Sequence, residues 1–228
     1  MVVSKIIFNF AKYLKTFSKF SNKMKNIFKF TATYVALAFF AVSCGSPKPV
    51  KTIENLRSAI EGETNASASY LAYSIKAAEE GFPNVAKMFA AASKAEAIHV
   101  ENHNAVLVKL GEQPFNPTPD APDVKSTVEN IYAAIDGETY EFTVMYPGFI
   151  ADATTEKSLD AVETFEWAME SEKTHAKLYA EVLEILKETE SDETVPSTWY
   201  TCPKCGDLFH TLADCTLCAT TSSSFLKF

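Results

Sequence analysis

Two short stretches decide how this chain folds: residues 93–103 read SKAEAIHVENH, and residues 169–179 read MESEKTHAKLY. Each contains a Glu-x-x-His motif, at positions 96–99 and 172–175. Both motifs lie in sequence that is rich in Ala, Glu, Lys and Leu, a composition that favours helix. Because residues three apart share one face of a helix, each motif can direct a carboxylate and an imidazole toward the same interior.

A lone glutamate precedes each motif by a nearly constant interval. Glu63 stands 33 residues before Glu96, and Glu138 stands 34 residues before Glu172. The chain therefore repeats a unit in which one helix supplies a glutamate and the next helix supplies Glu-x-x-His. Two such units predict two helical hairpins, and hence an all-α four-helix bundle over residues 52–190.

Helix-breaking residues set the expected connections of the first hairpin. Residues 81–84, Gly-Phe-Pro-Asn, separate the first two helices, and Asn84 is a candidate N-cap for the second. Gly111 ends the second helix. The Pro-rich residues 113–123 cannot be helical, so they form the longer crossover to the second hairpin.

Helix-breaking residues also mark the predicted helix boundaries of the second hairpin. Tyr146-Pro147-Gly148 is predicted to break or kink the third helix, and the fourth helix is expected over about residues 156–188.

The repeated acidic and histidine residues match the ligands of a carboxylate-bridged di-iron or di-manganese centre in a bundle core. Carboxylates offset the charge of two metal ions, and each imidazole adds a neutral nitrogen donor. A single Glu-x-x-His motif is usually a solvated helix face, but two motifs in register with two lone glutamates seldom arise by chance. The predicted ligands are Glu63, Glu96, His99, Glu138, Glu172 and His175.

Three neighbouring polar residues are not needed for this ligand set. Glu61 and Asp136, two positions before the lone glutamates, are predicted to face solvent. His103 stands one helical turn after His99, so its spacing also permits a ligand. A histidine at the surface or behind the ligands is the preferred interpretation of His103.

The C-terminal residues 199–228 contain two Cys-x-x-Cys motifs, in WYTCPKCG (199–206) and CTLC (215–218). Four thiolates at this spacing bind one tetrahedral ion, and both zinc and iron suit such a site. A segment this short has too little core to fold alone, so the ion would supply its stability. The predicted ligands are Cys202, Cys205, Cys215 and Cys218, and the polar residues 191–198 are the expected linker.

The first residues of the chain are predicted to direct export. Residues 1–43 carry seven lysines and no acidic residue, and they end in an uncharged apolar run that is too short to span a membrane. The run leads to a lone Cys44 and resembles a bacterial lipobox, with Met24 as an alternative start. The pattern predicts a signal peptide (1–43), a tether (44–51) beginning with lipidated Cys44, and an exported protein held at the membrane by a lipid anchor only. A plain signal anchor is the alternative.

The remainder of the chain is strongly acidic, with 14 basic and 29 acidic residues after position 43. Nucleic-acid binding requires a positive surface, so we expect no nucleic-acid partner.

The third predicted helix resembles rubrerythrins. It reads Gly-Glu-Thr-Tyr-Glu at 137–141, then Met-Tyr-Pro at 145–147, and a tail that resembles rubredoxin follows the bundle, which is the order of that family. The resemblance covers roughly residues 52–228. It implies a ferritin-like di-iron bundle followed by a rubredoxin-like domain, with two Fe held by oxygen and nitrogen ligands and one Fe held by four cysteine thiolates. The nine residues between Cys205 and Cys215 are fewer than the family commonly has.

The resemblance also implies roles for individual residues. Glu141 would be a seventh ligand that competes with His99 for one iron according to oxidation state. Tyr70 and Tyr146 fall where the family places tyrosines that hydrogen-bond near the di-iron pocket. From the sequence alone, ordinary core aromatics are an equally good account of these two tyrosines.

The activity that the resemblance implies is the reduction of hydrogen peroxide to water. Electrons would enter at the tail iron from an external NAD(P)H-dependent reductase or a small electron carrier. The resemblance further implies a homodimer in which the tail iron of one subunit lies closest to the di-iron site of its partner. The alternative is a ferritin-like ferroxidase or iron-handling protein whose four cysteines form a structural zinc ribbon.

Overall fold

The computed structural model describes residues 48–228. The predicted signal peptide (1–43) and the predicted lipidation site Cys44 lie outside the described residues, so both stay predictions. Within the described part of the chain, no helix combines the length and apolar character needed to cross a membrane.

The described residues form an all-α four-helix bundle followed by a small four-cysteine domain, which confirms the predicted fold class. The helices are α1 (Val50–Glu79), α2 (Pro83–Lys109), α3 (Thr127–Tyr140), α4 (Tyr146–Thr155) and α5 (Leu159–Thr189), and a π-helical turn (Glu141–Met145) joins α3 to α4. The first hairpin is α1 packed along α2. In the second hairpin, α3 and α4 pack against α5.

The start of α2 differs from the prediction. Asn84 is not its N-cap, because the helix already begins at Pro83 and Phe82 precedes it. The backbone N–H groups of Asn84 and Val85 instead donate to the carboxylate of Asp192, 108 positions after Asn84 in the chain. A distant side chain therefore satisfies the helix N–H groups that a local cap would otherwise satisfy.

Of the predicted break or kink at Tyr146-Pro147-Gly148, the break is absent. The chain remains helical through Tyr146-Pro147-Gly148 as far as Thr155. The N–H of Tyr146 donates to the carbonyl of Glu141, five residues back, which defines the wider π turn. Pro147 lacks an N–H, and the irregular turn just before it accommodates that loss. Such turns often accompany functional sites.

The crossover ends in a strong start signal for α3. The Ser126 side chain accepts a hydrogen bond from the N–H of Glu129, and the Glu129 carboxylate accepts one from the N–H of Ser126. This reciprocal capping box satisfies two N–H groups that the helix leaves free. Glu80, at the end of α1, accepts the N–H of Thr127 and thereby ties the two hairpins together.

Two apolar clusters fill the bundle, one toward each end. One contains Phe89 and Tyr179, and the other contains Leu56 and Phe165. Buried carboxylates and imidazoles lie between them along the same helices. Polar groups in that position must find partners inside the protein, since water cannot reach them.

The C-terminal domain is built on three two-residue strands, β1 (Tyr200–Thr201), β2 (Leu208–Phe209) and β3 (Leu226–Lys227). β1 is central and antiparallel to both neighbours. Within residues 191–198, expected to be a linker, Val195 is 2% exposed and belongs to the apolar core of the bundle, as does Trp199, the next residue but three, at 1%. The tail is therefore seated on the bundle.

Candidate metal centres

The structure brings the six predicted bundle ligands into two overlapping groups. In each group, one potential ligand atom from every residue lies within 4.8 Å of the others. The first group is Glu63, Glu96, His99 and Glu172, and the second is Glu96, Glu138, Glu172 and His175. Because Glu96 and Glu172 belong to both groups, they are the carboxylates placed to bridge two ions.

The helices explain why these side chains meet. Each Glu-x-x-His motif occupies one face of α2 or α5, and the lone glutamates come from α1 and α3. All six side chains are buried, whereas Glu61 and Asp136, predicted to face solvent, are exposed.

The donor atoms converge without hydrogen-bonding one another. Nδ1 of His99 lies 2.9 Å from both Glu96 Oε2 and Glu172 Oε1, and Nδ1 of His175 lies 2.7 Å from Glu172 Oε2. The two Nδ1 atoms, both oxygens of each shared carboxylate and Oε2 of Glu63 have no hydrogen-bond partner among the described residues. Buried polar atoms without partners are costly, and bound cations satisfy them. The donor set thus fits a pair of metal ions.

The electrostatics of these side chains lead to the same interpretation. Burial raises the pKa of Glu63 to about 7 and raises the pKa of Glu138 well above its usual range. Burial also opposes the ionised form of Glu172, but the charges of His99 and His175 outweigh it and lower the Glu172 pKa to about 2. Four buried carboxylates in one place repel each other, and nearby positive charge stabilises their ionised forms.

Glu141 stands apart from both groups. It begins the π turn and is only partly buried. Its Oε1 lies 3.9 Å from the position that a Cβ on Gly62 would occupy, so the side chain reaches across to α1. Burial of the carboxyl group, reinforced by the charge of Glu63, raises the pKa of Glu141 well above its usual range. The structure leaves the seventh predicted ligand beside the site, where it can hold a proton.

Two predicted tyrosines hydrogen-bond to predicted ligands. The Tyr70 hydroxyl donates to Glu138 Oε1 at 2.7 Å, and the Tyr146 hydroxyl donates to Glu63 Oε1. Tyr179 was not singled out from the sequence, but its ring centre lies 6.2 Å from that of His175 and 5.8 Å from that of Tyr70. Its position one turn after His175 was the available signal.

The four cysteines form a second, separate group. Their sulfur atoms all lie within 4.8 Å of one another, and none is in a disulfide. The Cys202–Cys218 and Cys205–Cys215 sulfur distances are both 3.5 Å. Four thiolates around one ion, with metal–sulfur bonds of about 2.3 Å, would stand only slightly farther apart. The geometry fits a single tetrahedral ion.

The first cysteine motif contacts the outer side of the bundle site. Nε2 of His99 lies 2.9 Å from the carbonyl oxygen of Cys205, and Nε2 of His175 lies 3.3 Å from that of Gly206. Asn102 on α2 donates its side-chain amide to the carbonyl of Lys204. Each imidazole therefore offers Nδ1 to the bundle site and Nε2 to the tail.

This contact occurs within one chain. Within the chain, the tail folds back along α2. The closer approach of one subunit's tail iron to the partner's di-iron site, which the resemblance implies, stays a prediction. The Thr201 hydroxyl donates to the carbonyl of Ala91, and Lys87 donates to the carbonyl of Ser197. These contacts carry the tail from the end of α5 to the bundle histidines.

Gly206→Ala is expected to separate the tail from those histidines. Gly206 has φ +84°, and an added Cβ would lie 2.2 Å from Nε2 of His99. Gly81→Ala is the matched control, because Gly81 has φ +87° and nothing within 4 Å. Both substitutions carry the same backbone cost, about 1–2 kcal/mol. Of the two variants, only Gly206→Ala should slow the tail-to-bundle electron transfer that the resemblance to rubrerythrins implies, on the order of tenfold. Stopped-flow absorbance measures the rate, and equal slowing in both variants would contradict the contact's role.

A family model described as "Rubrerythrin" matches residues 54–183. The chain belongs to the rubrerythrin family. Nigerythrin of Nitratidesulfovibrio vulgaris is 35% identical over 155 residues, which are 68% of this chain and 74% of that protein. Rubrerythrin-2 of Clostridium acetobutylicum is 32% identical over 188 residues, covering 80% of this chain and 100% of that protein. The solved structure of nigerythrin in its fully reduced, all-ferrous state matches with a TM-score of 0.70 and 32% identity, over 82% of this chain and 89% of that one.

The family and the two donor sets together define the cofactors. The chain is a di-iron protein of rubrerythrin type, with two Fe in the bundle and one Fe in the four-cysteine site. This agrees with the cofactors expected from the sequence.

Proposed function

We propose that this protein reduces hydrogen peroxide to water at the di-iron site and receives the electrons through the four-cysteine iron. The observation that carries the proposal is the contact between the two sites. The carbonyl oxygen of Cys205, a predicted thiolate ligand, lies 2.9 Å from Nε2 of His99, and Nδ1 of the same ring lies 2.9 Å from Oε2 of Glu96. The contact gives electrons that enter at the four-cysteine site a short route to the bundle, which a storage protein does not need.

The reaction consumes one peroxide, two electrons and two protons and releases two waters. When bound, the iron pair supplies the two electrons and polarises the substrate oxygen. The chain itself must supply protons in a site that water reaches poorly. Glu141 is the proposed donor, because its carboxyl group is held beside the site with a raised pKa.

Electrons would come from outside the chain. The proposed donor is an NAD(P)H-dependent reductase or a small electron carrier, and the proposed assembly is a homodimer, both as the family implies. Export and lipidation at Cys44 stay predictions from the sequence.

Peroxide consumption by the full chain tests this function. The protein is loaded with ferrous iron without oxygen and given peroxide together with a reduced rubredoxin-type donor. We expect one peroxide consumed per two donor electrons over many turnovers. An iron oxidase would instead accumulate ferric iron and leave the donor unused, and a zinc-loaded tail would lack the sulfur-to-iron absorption of a ferric four-thiolate site. Either result would contradict the proposal.

A further inference from the structure

His103 is buried at the side of the di-iron site, although the six-ligand set does not need it. It lies one turn after His99 on α2 and is 0% exposed. Its ring packs 5.2 Å from Phe165 and 6.0 Å from Tyr146, measured between ring centres. The residue therefore meets α4 and α5 of the second hairpin. The sequence favoured a position at the surface or behind the ligands, and the structure places His103 behind them.

Both nitrogens of His103 have hydrogen-bond partners. Nε2 lies 3.2 Å from the Tyr146 hydroxyl, and Nδ1 lies 3.1 Å from the Thr164 hydroxyl. The Tyr146 hydroxyl also donates to Oε1 of Glu63. A continuous chain of hydrogen bonds thus runs from α5 through α2 and α4 to a predicted metal ligand on α1.

The direction of each hydrogen bond follows from donor counting. A metal-bound Glu63 is ionised and can only accept hydrogen bonds, so the single O–H of Tyr146 donates to Glu63. The phenol oxygen can then only accept from His103. Burial lowers the pKa of His103 to about 3, so the ring is neutral and carries one N–H. That N–H must be on Nε2, and Nδ1 accepts from Thr164.

The same counting separates the two oxygens of Glu63. Oε1 accepts the hydrogen bond from the Tyr146 hydroxyl, whereas Oε2 is buried without a hydrogen-bond partner among the described residues. An ordered donor on one oxygen holds the carboxylate in a single orientation and leaves the other oxygen available. Hydrogen bonds in such chains also strengthen one another.

We propose that His103 is a positioning residue for the di-iron site, which it serves by orienting the Tyr146 hydroxyl toward Oε1 of Glu63 and thereby presenting Oε2 to the metal. The role concerns metal binding and is independent of which oxidant the site reduces. Partners of this kind behind metal ligands typically contribute 10- to 100-fold in metal affinity.

Three substitutions of His103 distinguish positioning from packing. Gln places an amide N–H where Nε2 of the ring stands, whereas Asn places one where Nδ1 stands, and Leu offers no donor. Ferrous iron is titrated into each metal-free full-length protein without oxygen. We expect His103→Leu and His103→Asn to bind iron in the bundle about 10- to 100-fold more weakly. His103→Gln should keep most of the wild-type affinity.

A double-mutant cycle shows whether the effect passes through Tyr146. In a Tyr146→Phe background the phenol is already gone, so His103→Leu should weaken iron binding no further. The proposal is overturned if His103→Leu binds iron as the wild type does, if Gln is as weak as Leu, or if the two substitutions act additively. Because Gln and Asn are both polar and close in size, their comparison stays decisive even if Leu fails to fold.

Discussion

Glu172→Gln is expected to abolish iron binding at both positions of the bundle. Glu172 belongs to both ligand groups and is fully buried, and neither of its oxygens has a hydrogen-bond partner in the described residues. A neutral amide retains the shape of the side chain, but it has only one oxygen and no charge with which to bridge two cations. Both ions should therefore lose a ligand at once.

We expect the iron content of the bundle to fall from two to none, while the tail keeps its one Fe. Peroxide turnover should fall by more than about 100-fold, beyond the range typical of partners that act only through a ligand. Metal analysis and the steady-state assay measure the two effects.

Glu170→Gln is the matched control for this substitution. Glu170 lies two residues earlier on α5, is exposed, and pairs with Lys173 at the surface. It should keep normal iron content and normal turnover. Circular dichroism of the metal-free proteins verifies that Glu172→Gln still forms the bundle. Two irons in a folded Glu172→Gln protein would show that the shared carboxylate is not a bridge.

Cys205→Ser is expected to stop turnover while leaving the di-iron site reactive. Cys205 is buried, its sulfur lies 3.5 Å from that of Cys215, and its carbonyl contacts His99. The substitution removes one of four thiolates, so the tail iron and its visible sulfur-to-iron bands should disappear. The two bundle irons have separate ligands and should remain.

Two measurements separate the electron supply from the chemistry of the bundle. A single addition of peroxide to the chemically reduced variant should still oxidise the bundle irons at close to the wild-type rate. Steady-state turnover with an external donor should fall to the background seen without a donor. An unchanged steady-state rate would mean that electrons reach the bundle without the tail.

The control for Cys205→Ser must keep the four thiolates. Thr216→Ser changes an exposed residue between Cys215 and Cys218 and should alter neither colour nor turnover. Trp199 is packed in the core of the bundle, so tryptophan fluorescence reports whether the tail stays seated after the metal is lost.

Spacing was enough to predict the donor sets because it acts through helix geometry. Residues three apart share a helix face whatever the rest of the protein does, so two Glu-x-x-His motifs in register with two glutamates indicated one shared interior. The four-cysteine site was predictable for a similar reason, since each Cys-x-x-Cys motif brings two thiolates together locally. Glu141 has the same helical spacing from Glu138, yet it lies outside both groups. It begins the π turn, which ordinary helical spacing does not reveal.

Contacts between residues that are far apart in the chain had no comparable pattern in the sequence. The Asp192 carboxylate takes the place of a local cap on α2, and no sequence pattern near Asn84 predicts this contact. His103 had the spacing of a ligand, but its role depends on Tyr146 and Thr164, which reach it from two other helices.

The sequence by itself determined the four-helix bundle, the six inward donors and the four thiolates, because each follows from short-range periodicity. Only the tertiary structure decided that Val195 packs into the core of the bundle, that the Cys205 carbonyl meets His99, and which tyrosine contacts which glutamate. The physical reason is that these contacts join residues far apart in the chain. Their positions are set by how the helices pack and where the tail is seated, and neither leaves a repeating pattern in the sequence.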